Sequence, residues 1–370
     1  MQNSVINEQQ IQQSTIDETI KKLMNNLITI KDTDGEFLLD FDDIIVDDKS
    51  WNVWNWPQGI GLYGIYKYWE ITKNEKAWQI IIDWFEQQFA LGSPSKNVNT
   101  MAPLLTMAYL YEQSNDCRFL PYLENWAEWV MNDMPRTEEE GLEHFTYGPE
   151  NIEQLWDDTL MMTVLPLAKI GLLLNRPQYL EEAKRQFILH TKYLCDKKTG
   201  LWFHGWTFLE NHNYAEALWA RGNCWITIAI PEIIDLLDLK PGDAFLEFLI
   251  ETLKKQVSTL KKLQSPSGLW HTLLDDETSY CEASATAGFA YGLLKAARKN
   301  YIDKEYKAVA EKAISGLLNE INEVGAVQKV SIGTGLGEDL TFYQNIRTTE
   351  MPYGQSLTIL ALSEYLYEYI

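Results

Sequence analysis

The chain has 370 residues, of which 46% are hydrophobic, and a formal net charge of −22 at neutral pH. A length of this order suits one large domain or two ordinary ones, and no low-complexity linker divides the chain, so we expect one domain over residues 1–370. The negative charge would repel nucleic acids and anionic membranes, so neither is an expected partner. We expect a monomer or a weak homo-oligomer.

The start of the chain, MQNSVINEQQIQQSTIDETI, contains no basic stretch followed by an apolar one. No apolar run reaches the roughly 18 to 20 residues that a bilayer span needs. We therefore expect a cytoplasmic location. The four cysteines lie far apart and are expected to be buried thiols, and the five histidines show no metal-binding spacing. Neither a metal nor another cofactor is expected.

Apolar residues recur at helical spacing in about twelve segments, which begin near residues 8, 58, 76, 100, 119, 156, 177, 219, 243, 280, 304 and 353. One kind of segment, such as KAWQIIIDWFEQQF, has an apolar stripe and a charged face, which is typical of a helix half exposed to water. The other kind, such as TLMMTVLPLAKIGLLL, is apolar nearly all round, which is typical of a helix buried on both sides.

The two kinds alternate, and short turns such as RNP, KPGD and ITKNEK join each inner helix to the outer helix that follows it. The pattern therefore predicts six helical hairpins. Such hairpins either stack into an open solenoid or close into a ring. Because an open solenoid would expose an apolar concave face, we predict an all-α fold, an (α/α)6 barrel. The alternative is a helical-repeat scaffold.

The loops that enter inner helices carry the unusual residues of the chain. These loops are WNVWNWPQG (51–59), NVNTMAP (97–103), HFTYGPENIEQLWDD (144–158), WFHGW (202–206) and WARGNCW (219–225). If the inner helices run parallel, the loops meet at one mouth, where helix N-termini favour an anion. Arg221 adds a cation whose fork matches a carboxylate. An acidic sugar would satisfy both preferences.

Each candidate binding residue also has a plainer interpretation. His144 and His204 either contact sugar hydroxyls or satisfy buried carbonyls, and Asn99 either caps its helix or binds a ligand. Gly333 and Thr334, in SIGTGLGED, lie in a turn-rich loop at the mouth, since no GK[ST] follows as in a phosphate loop. Four tryptophans either stack on sugars or pack in the core: Trp54, Trp56, Trp219 and Trp225.

Two adjacent aspartates, Asp157 and Asp158, stand where an apolar helix is expected to begin. One of them can cap the helix, which leaves the second in apolar surroundings beside Trp156. Burial there, together with the charge of Asp157, would raise the pKa of Asp158 and suit it to donate a proton. The plainer interpretation is a helix cap followed by a first-turn charge.

Several motifs occur in a fixed order over residues 50–360 or so: WNWPQG, NVNTMAP, QLWDDTLMM, HGW, WARGNCW, EASATAGFAYGLL and SIGTGLG. Together they resemble the unsaturated rhamnogalacturonyl hydrolases of glycoside hydrolase family 105, relatives of the unsaturated glucuronyl hydrolases. The resemblance implies an (α/α)6 barrel that removes an unsaturated uronic acid from the non-reducing end of pectin-lyase fragments. It implies that Asp158 is the catalytic acid, that Arg221 and Trp225 bind substrate, and that His144 and Tyr147 lie upstream at the site.

The chain departs from the family pattern in three places. The stretch between His144 and Asp158 is longer, and Cys224 stands in place of the usual glycine. Asn99 occupies about the position of a second aspartate in glucuronyl hydrolases, so Asp158 is expected to act alone on an unsaturated ring, with rhamnose as the leaving sugar. The alternatives are a glucuronyl hydrolase acting on another polysaccharide, an epimerase or isomerase that uses His144 and His204 as bases, and a noncatalytic scaffold.

Overall fold

The computed structural model describes residues 11–41, 44–147 and 151–370. The predicted start of the first helix, near residue 8, lies outside the described residues. The helices are α1 (Gln13–Leu27), α2 (Trp56–Thr72), α3 (Glu75–Leu91), α4 (Val98–Met101), α5 (Pro103–Ser114), α6 (Leu120–Asn132), α7 (Leu165–Leu173), α8 (Pro177–Leu194), α9 (Ala220–Leu236), α10 (Ala244–Leu263), α11 (Ala283–Arg298), α12 (Tyr306–Leu318), α13 (Leu340–Gln344) and α14 (Pro352–Tyr365).

The strands are short and form four antiparallel pairs within the described ranges. A π-helical turn, Leu160–Val164, precedes α7, and a 3-10 turn, Leu366–Tyr369, follows α14. The pairs are β1 (Leu38–Phe41) with β2 (Ile44–Asp47), β3 (Gln154–Trp156) with β4 (Gly205–Thr207), β5 (Trp270–His271) with β6 (Cys281–Glu282), and β7 (Val330–Ser331) with β8 (Thr348–Thr349).

Six helices form an inner ring in the order α2, α5, α7, α9, α11 and α14. Each contacts the next, and α14 contacts α2, so the ring closes. Every residue of α14 is buried, as the apolar and small residues of its sequence require. The predicted (α/α)6 barrel is therefore confirmed, and the open scaffold is not formed.

The outer helices cover this ring. Helices α3, α6, α8, α10 and α12 each follow an inner helix and pack against it, and α1 packs against α14 to form the sixth pair. In α10 the buried residues recur every three or four positions, from Leu246 through Leu249, Leu253 and Val257 to Leu260. One face of each outer helix thus meets the ring while the other faces water.

The four cysteines are free thiols. Cys224 is buried, but Cys117 is exposed, so the expectation that all four are buried is wrong. Cys117 lies in the turn between α5 and α6, where the chain crosses the surface. No helix in the described part of the chain is both long enough and apolar enough to cross a membrane.

Candidate active site

A cavity of about 550 Å³ opens at one end of the barrel. Its wall comes from the β1–β2 pair, from the starts of α2, α4 and α9, and from the segments that precede α7 and α14. Residues 148–150 of the HFTYGPENIEQLWDD motif lie outside the described part of the chain. Ten of the candidate residues line this cavity: Trp56, Asn99, His144, Tyr147, Trp156, Asp158, Trp219, Arg221, Gly333 and Thr334.

Two of the candidate tryptophans lie behind the cavity wall. Trp54 is 4% exposed, and its indole N–H donates to the carbonyl of Thr100 at 2.8 Å. Trp225 is fully buried and meets Trp56 edge to face, with ring centroids 5.9 Å apart. The expected direct stacking of Trp54 and Trp225 on a sugar is therefore not supported, because neither ring reaches the cavity.

Asp157 and Asp158, which we call the acid pair, follow β3 at the mouth of the barrel. The N–H of Asp157 donates to the carbonyl of His204 at 3.2 Å, which extends the β3–β4 pairing to this point. The side chain of Asp158 lines the cavity and is 19% exposed, with its Oδ2 3.6 Å from His204 Nε2. Asp157 is fully buried. The two carboxyls therefore occupy different environments although they are adjacent in sequence.

The Asp157 carboxyl packs against α9. A Cβ atom at Gly222 would lie 2.2 Å from Asp157 Oδ2, so the position in WARGNCW has room only for glycine. Apart from its contact with the Asp158 carboxyl, no side chain in the described residues hydrogen-bonds to the Asp157 carboxyl, and Asp157 makes no helix-capping bond, so the expected helix cap is wrong. Burial and the neighbouring charge of Asp158 raise the pKa of Asp157 well above its ordinary value. Asp157 therefore keeps its proton to a higher pH than an ordinary aspartate does.

The pKa of Asp158 moves in the opposite direction from the one that its sequence context predicts. Burial raises it, but the nearby His204 ring and a hydrogen bond with Asp157 outweigh burial, so the pKa is lowered. When the pair holds a single proton, that proton therefore lies on Asp157 and the negative charge lies on Asp158. The rise in the Asp158 pKa that we expected from desolvation is absent.

Two histidines flank Trp156. The His144 ring stacks on the indole with centroids 4.1 Å apart, and its Nδ1 lies 2.9 Å from Thr159 Oγ1. The His204 ring meets the indole edge at 5.0 Å, and its Nδ1 lies 2.8 Å from Tyr343 Oη. Burial lowers the pKa of both rings, that of His144 to about 3. Both are neutral at neutral pH, and Nε2 of His204 is left on the side of the acid pair.

The acid pair and His204 could also offer three ligand atoms to a cation, since these atoms lie within 4.8 Å of one another. To bind a cation well, Asp157 would have to lose the proton that burial makes it keep. The cluster can therefore hold either a proton on Asp157 or a cation, and the two uses of that carboxyl exclude each other.

Arg221 is 1% exposed and lies between the rings of Trp219 and Tyr353, 4.8 Å from each centroid. Its Nη1 donates to the carbonyl of Ser331 at 3.0 Å, and its Nη2 donates to Thr334 Oγ1 at 3.0 Å. Both arms of the guanidinium fork thus hold the loop at residues 331–334, and the carboxylate that the sequence analysis matched to this fork stays a prediction. Its positive charge still borders the cavity wall.

Two carboxyl groups near Arg221 were missed by sequence reasoning. Glu282, fully buried, caps α11 by accepting from Ala285 N, and its Oε1 lies 3.6 Å from Arg221 Nη1. Asp48 lines the cavity and is 5% exposed. Glutamate is not among the residues that usually cap helices, and Asp48 stands in VDDKS without any recognisable motif, so no local pattern marks either carboxyl.

Comparisons with known proteins agree with this architecture. A model of Glycosyl Hydrolase Family 88 matches residues 29–369. The chain is 31% identical over 316 residues to the unsaturated rhamnogalacturonyl hydrolase YesR of Bacillus subtilis (strain 168), covering 85% of this chain and 90% of YesR. A crystal structure of a possible member of the GH105 family from Klebsiella pneumoniae has a TM-score of 0.96 at 54% identity, covering 98% of this chain and 96% of that one. An unsaturated glucuronyl hydrolase specific for heparin shares the fold, with a TM-score of 0.72 at 16% identity over 96% and 97% of the two chains.

Proposed function

The chain belongs to Glycosyl Hydrolase Family 88, and we propose that it removes a 4,5-unsaturated uronic acid from the non-reducing end of lyase-generated oligosaccharides. The similarity to YesR supports this activity. The observation that carries the proposal is a single cavity in which the Asp158 carboxyl meets aromatic walls and the charge of Arg221. Its volume, about 550 Å³, falls in the range of small-molecule sites.

The chemistry of an unsaturated uronate explains why one proton donor is enough. An ordinary glycosidase needs two carboxylates, one to protonate the leaving oxygen and one to act at the anomeric carbon. The unsaturated ring instead contains a vinyl ether, so a proton added at C4 leaves a cation at C5 that the ring oxygen stabilises. Water then adds at C5, and the resulting hemiketal opens and releases the neighbouring sugar.

In this mechanism Asp158 donates the proton to C4 and then takes one from the attacking water. The proton comes from the acid pair, which holds it on Asp157 in the free protein. An anionic substrate disfavours the negative charge on Asp158, so its arrival moves the shared proton from Asp157 towards Asp158. Asp158 is the donor because it is the member of the pair that lines the cavity.

The remaining wall residues bind and orient the substrate. Trp56, Trp156 and Trp219 present aromatic rings to the sugar. Asn99, His144 and Tyr147 contribute polar groups, as do Gly333 and Thr334 on the loop that Arg221 holds. His204 acts on the acid pair from behind the wall, and Trp54 and Trp225 support the wall from the core.

We propose rhamnose as the leaving sugar, because YesR is named for a rhamnogalacturonyl substrate. It also includes a cytoplasmic location, a monomer or weak homo-oligomer, and a reaction that requires no cofactor. Four free thiols suit a reducing compartment. The substrate would then be an oligosaccharide imported after a lyase has cut the polymer.

The direct test is incubation with unsaturated disaccharides from rhamnogalacturonan, chondroitin and ulvan digests. Hydrolysis removes the conjugated double bond, so ultraviolet absorbance should fall as free sugar appears by chromatography, fastest with the rhamnogalacturonan product. Asp158→Asn serves as the inactive control. Failure with all three substrates would refute the hydrolase, whereas a clear preference for the chondroitin product would replace rhamnose with the glucuronyl alternative.

A further inference from the structure

Asp48 occupies the corner of the cavity next to Arg221, directly after β2. Its backbone N–H donates to the carbonyl of Phe37 at 3.1 Å, which fixes the residue to the start of the β1–β2 pair. A Cβ atom at Gly333 would lie 2.8 Å from Asp48 Oδ2, so the carboxyl lies against the loop that Arg221 holds. Asp48 is therefore a buried carboxyl in the cavity wall that is distinct from the acid pair.

The charges in this corner do not favour a further anion. Arg221 is the cation, Glu282 lies 3.6 Å from it, and Asp48 is close enough for Arg221 to oppose the rise in its pKa. With both carboxyls ionised the corner has a net charge of −1, and a substrate carboxylate would make it −2. Adding charge to a buried site is costly, so neutralisation of one carboxyl by a proton favours binding.

The environment of Asp48 already favours that proton. Burial raises its pKa, Arg221 opposes the rise and Asp47 adds to it, and the result is about 7. Tyr147 and Tyr353 also lie near it, and burial raises the pKa of each further above neutral, while the carboxyls of Glu36, Asp158 and Glu338 line the same cavity. These tyrosines stay protonated around neutral pH, so they do not compete with Asp48 for the titration.

We propose that Asp48 binds the carboxylate of the substrate as a neutral acid that donates a hydrogen bond to it, and that an ionised Asp48 takes one proton from solution when substrate binds. The inference rests on the proposed function. Asp48 would also supply a hydrogen-bond donor to the substrate carboxylate, which the Nη atoms of Arg221 do not, since both already donate to the loop. A neutral carboxyl offers one O–H donor, which a carboxylate ligand accepts strongly.

Calorimetric titration tests the proton uptake directly. The Asp158→Asn variant, which should not turn over its ligand, is titrated with an unsaturated uronyl disaccharide in two buffers of different ionisation heat. We expect about 0.9 proton taken up per ligand at pH 8 and about 0.1 at pH 6, with the dissociation constant rising towards tenfold per pH unit above about pH 7. Binding of the methyl ester of the same ligand, which has no carboxylate, should be accompanied by no proton uptake.

Adding Asp48→Asn should abolish the uptake, whereas adding Glu338→Gln, which removes an exposed carboxyl of the same cavity, should leave it intact. Uptake that persists with Asp48→Asn, or that is equal for the acid and its ester, overturns the inference. If the Asp48→Asn protein fails to fold, the difference in proton uptake between the acid ligand and its methyl ester still tests the inference. Absence of binding at every pH contradicts the proposed function instead.

Discussion

Asp157→Asn tests whether the buried member of the acid pair is a neutral acid. Asparagine has nearly the shape of a protonated aspartate, its amide can donate to Asp158, and it carries no charge at any pH. The space next to Gly222 that accepts the carboxyl should accept the amide as well. We therefore expect the variant to fold into the same barrel, with a difference only in how its stability depends on pH.

The sign of that difference follows from the raised pKa of Asp157. Above an ordinary aspartate pKa of about 3.9 the unfolded chain loses this proton while the folded chain keeps it, so rising pH favours unfolding until the folded-state pKa is reached. The cost is about 1.36 kcal/mol per pH unit. Over the two units from pH 5 to pH 7, the variant should therefore gain up to about 2.7 kcal/mol in free energy of unfolding relative to the wild type.

Urea unfolding followed by tryptophan fluorescence at pH 5, 6 and 7 measures the difference. The buried histidines are present in both proteins, so their contribution cancels in the difference in free energy of unfolding. Asp238→Asn is the matched control, because that side chain is 79% exposed and its replacement leaves the acid pair intact. If the free energies of unfolding of Asp157→Asn and the wild type differ by the same amount at pH 5, 6 and 7, the reasoning is refuted. Asp157 would then ionise in the folded protein as it does in the unfolded chain.

Three further substitutions separate the roles of site and core. Asp158→Asn should lower kcat about 10²-fold to 10⁴-fold with an unchanged circular dichroism spectrum; a variant with most of its turnover would show that another group donates the proton. Arg221→Lys keeps the charge but cannot hold Ser331 and Thr334 together, so steady-state kinetics should show KM rising more than kcat falls, and an unchanged KM rejects this role. Trp225→Ala should lower the free energy of unfolding by about 3 to 5 kcal/mol in urea, and a loss below about 1 kcal/mol would contradict its placement in the core.

The fold was predictable because the sequence of each helix indicates whether that helix is buried on one side or all round. An inner helix such as α14 is apolar or small at nearly every position, and an outer helix such as α10 carries an apolar stripe, so the alternation could be identified locally. The sixth pair could not be identified in this way. It joins α1 to α14, which are separated by most of the chain and share no turn.

The site was predictable as a set of loops but not residue by residue. Trp54 and Trp56 are two positions apart, yet one packs in the core and the other lines the cavity, because the turn before α2 directs them differently. The location of the proton in the acid pair depends on His204, which directly precedes β4, and on the space at Gly222 in α9. Such contacts between distant segments leave no local pattern in the sequence.

The pairing of α1 with α14 also constrains how the protein is made. The ribosome synthesises α1 and α2 first, but the helix that covers both of them is α14. Until α14 emerges, the nascent chain holds apolar surfaces whose partner does not yet exist, and such surfaces promote aggregation and attract chaperones. Substitutions that slow the docking of α14 should therefore reduce the yield of soluble protein in cells even where they leave the finished barrel stable.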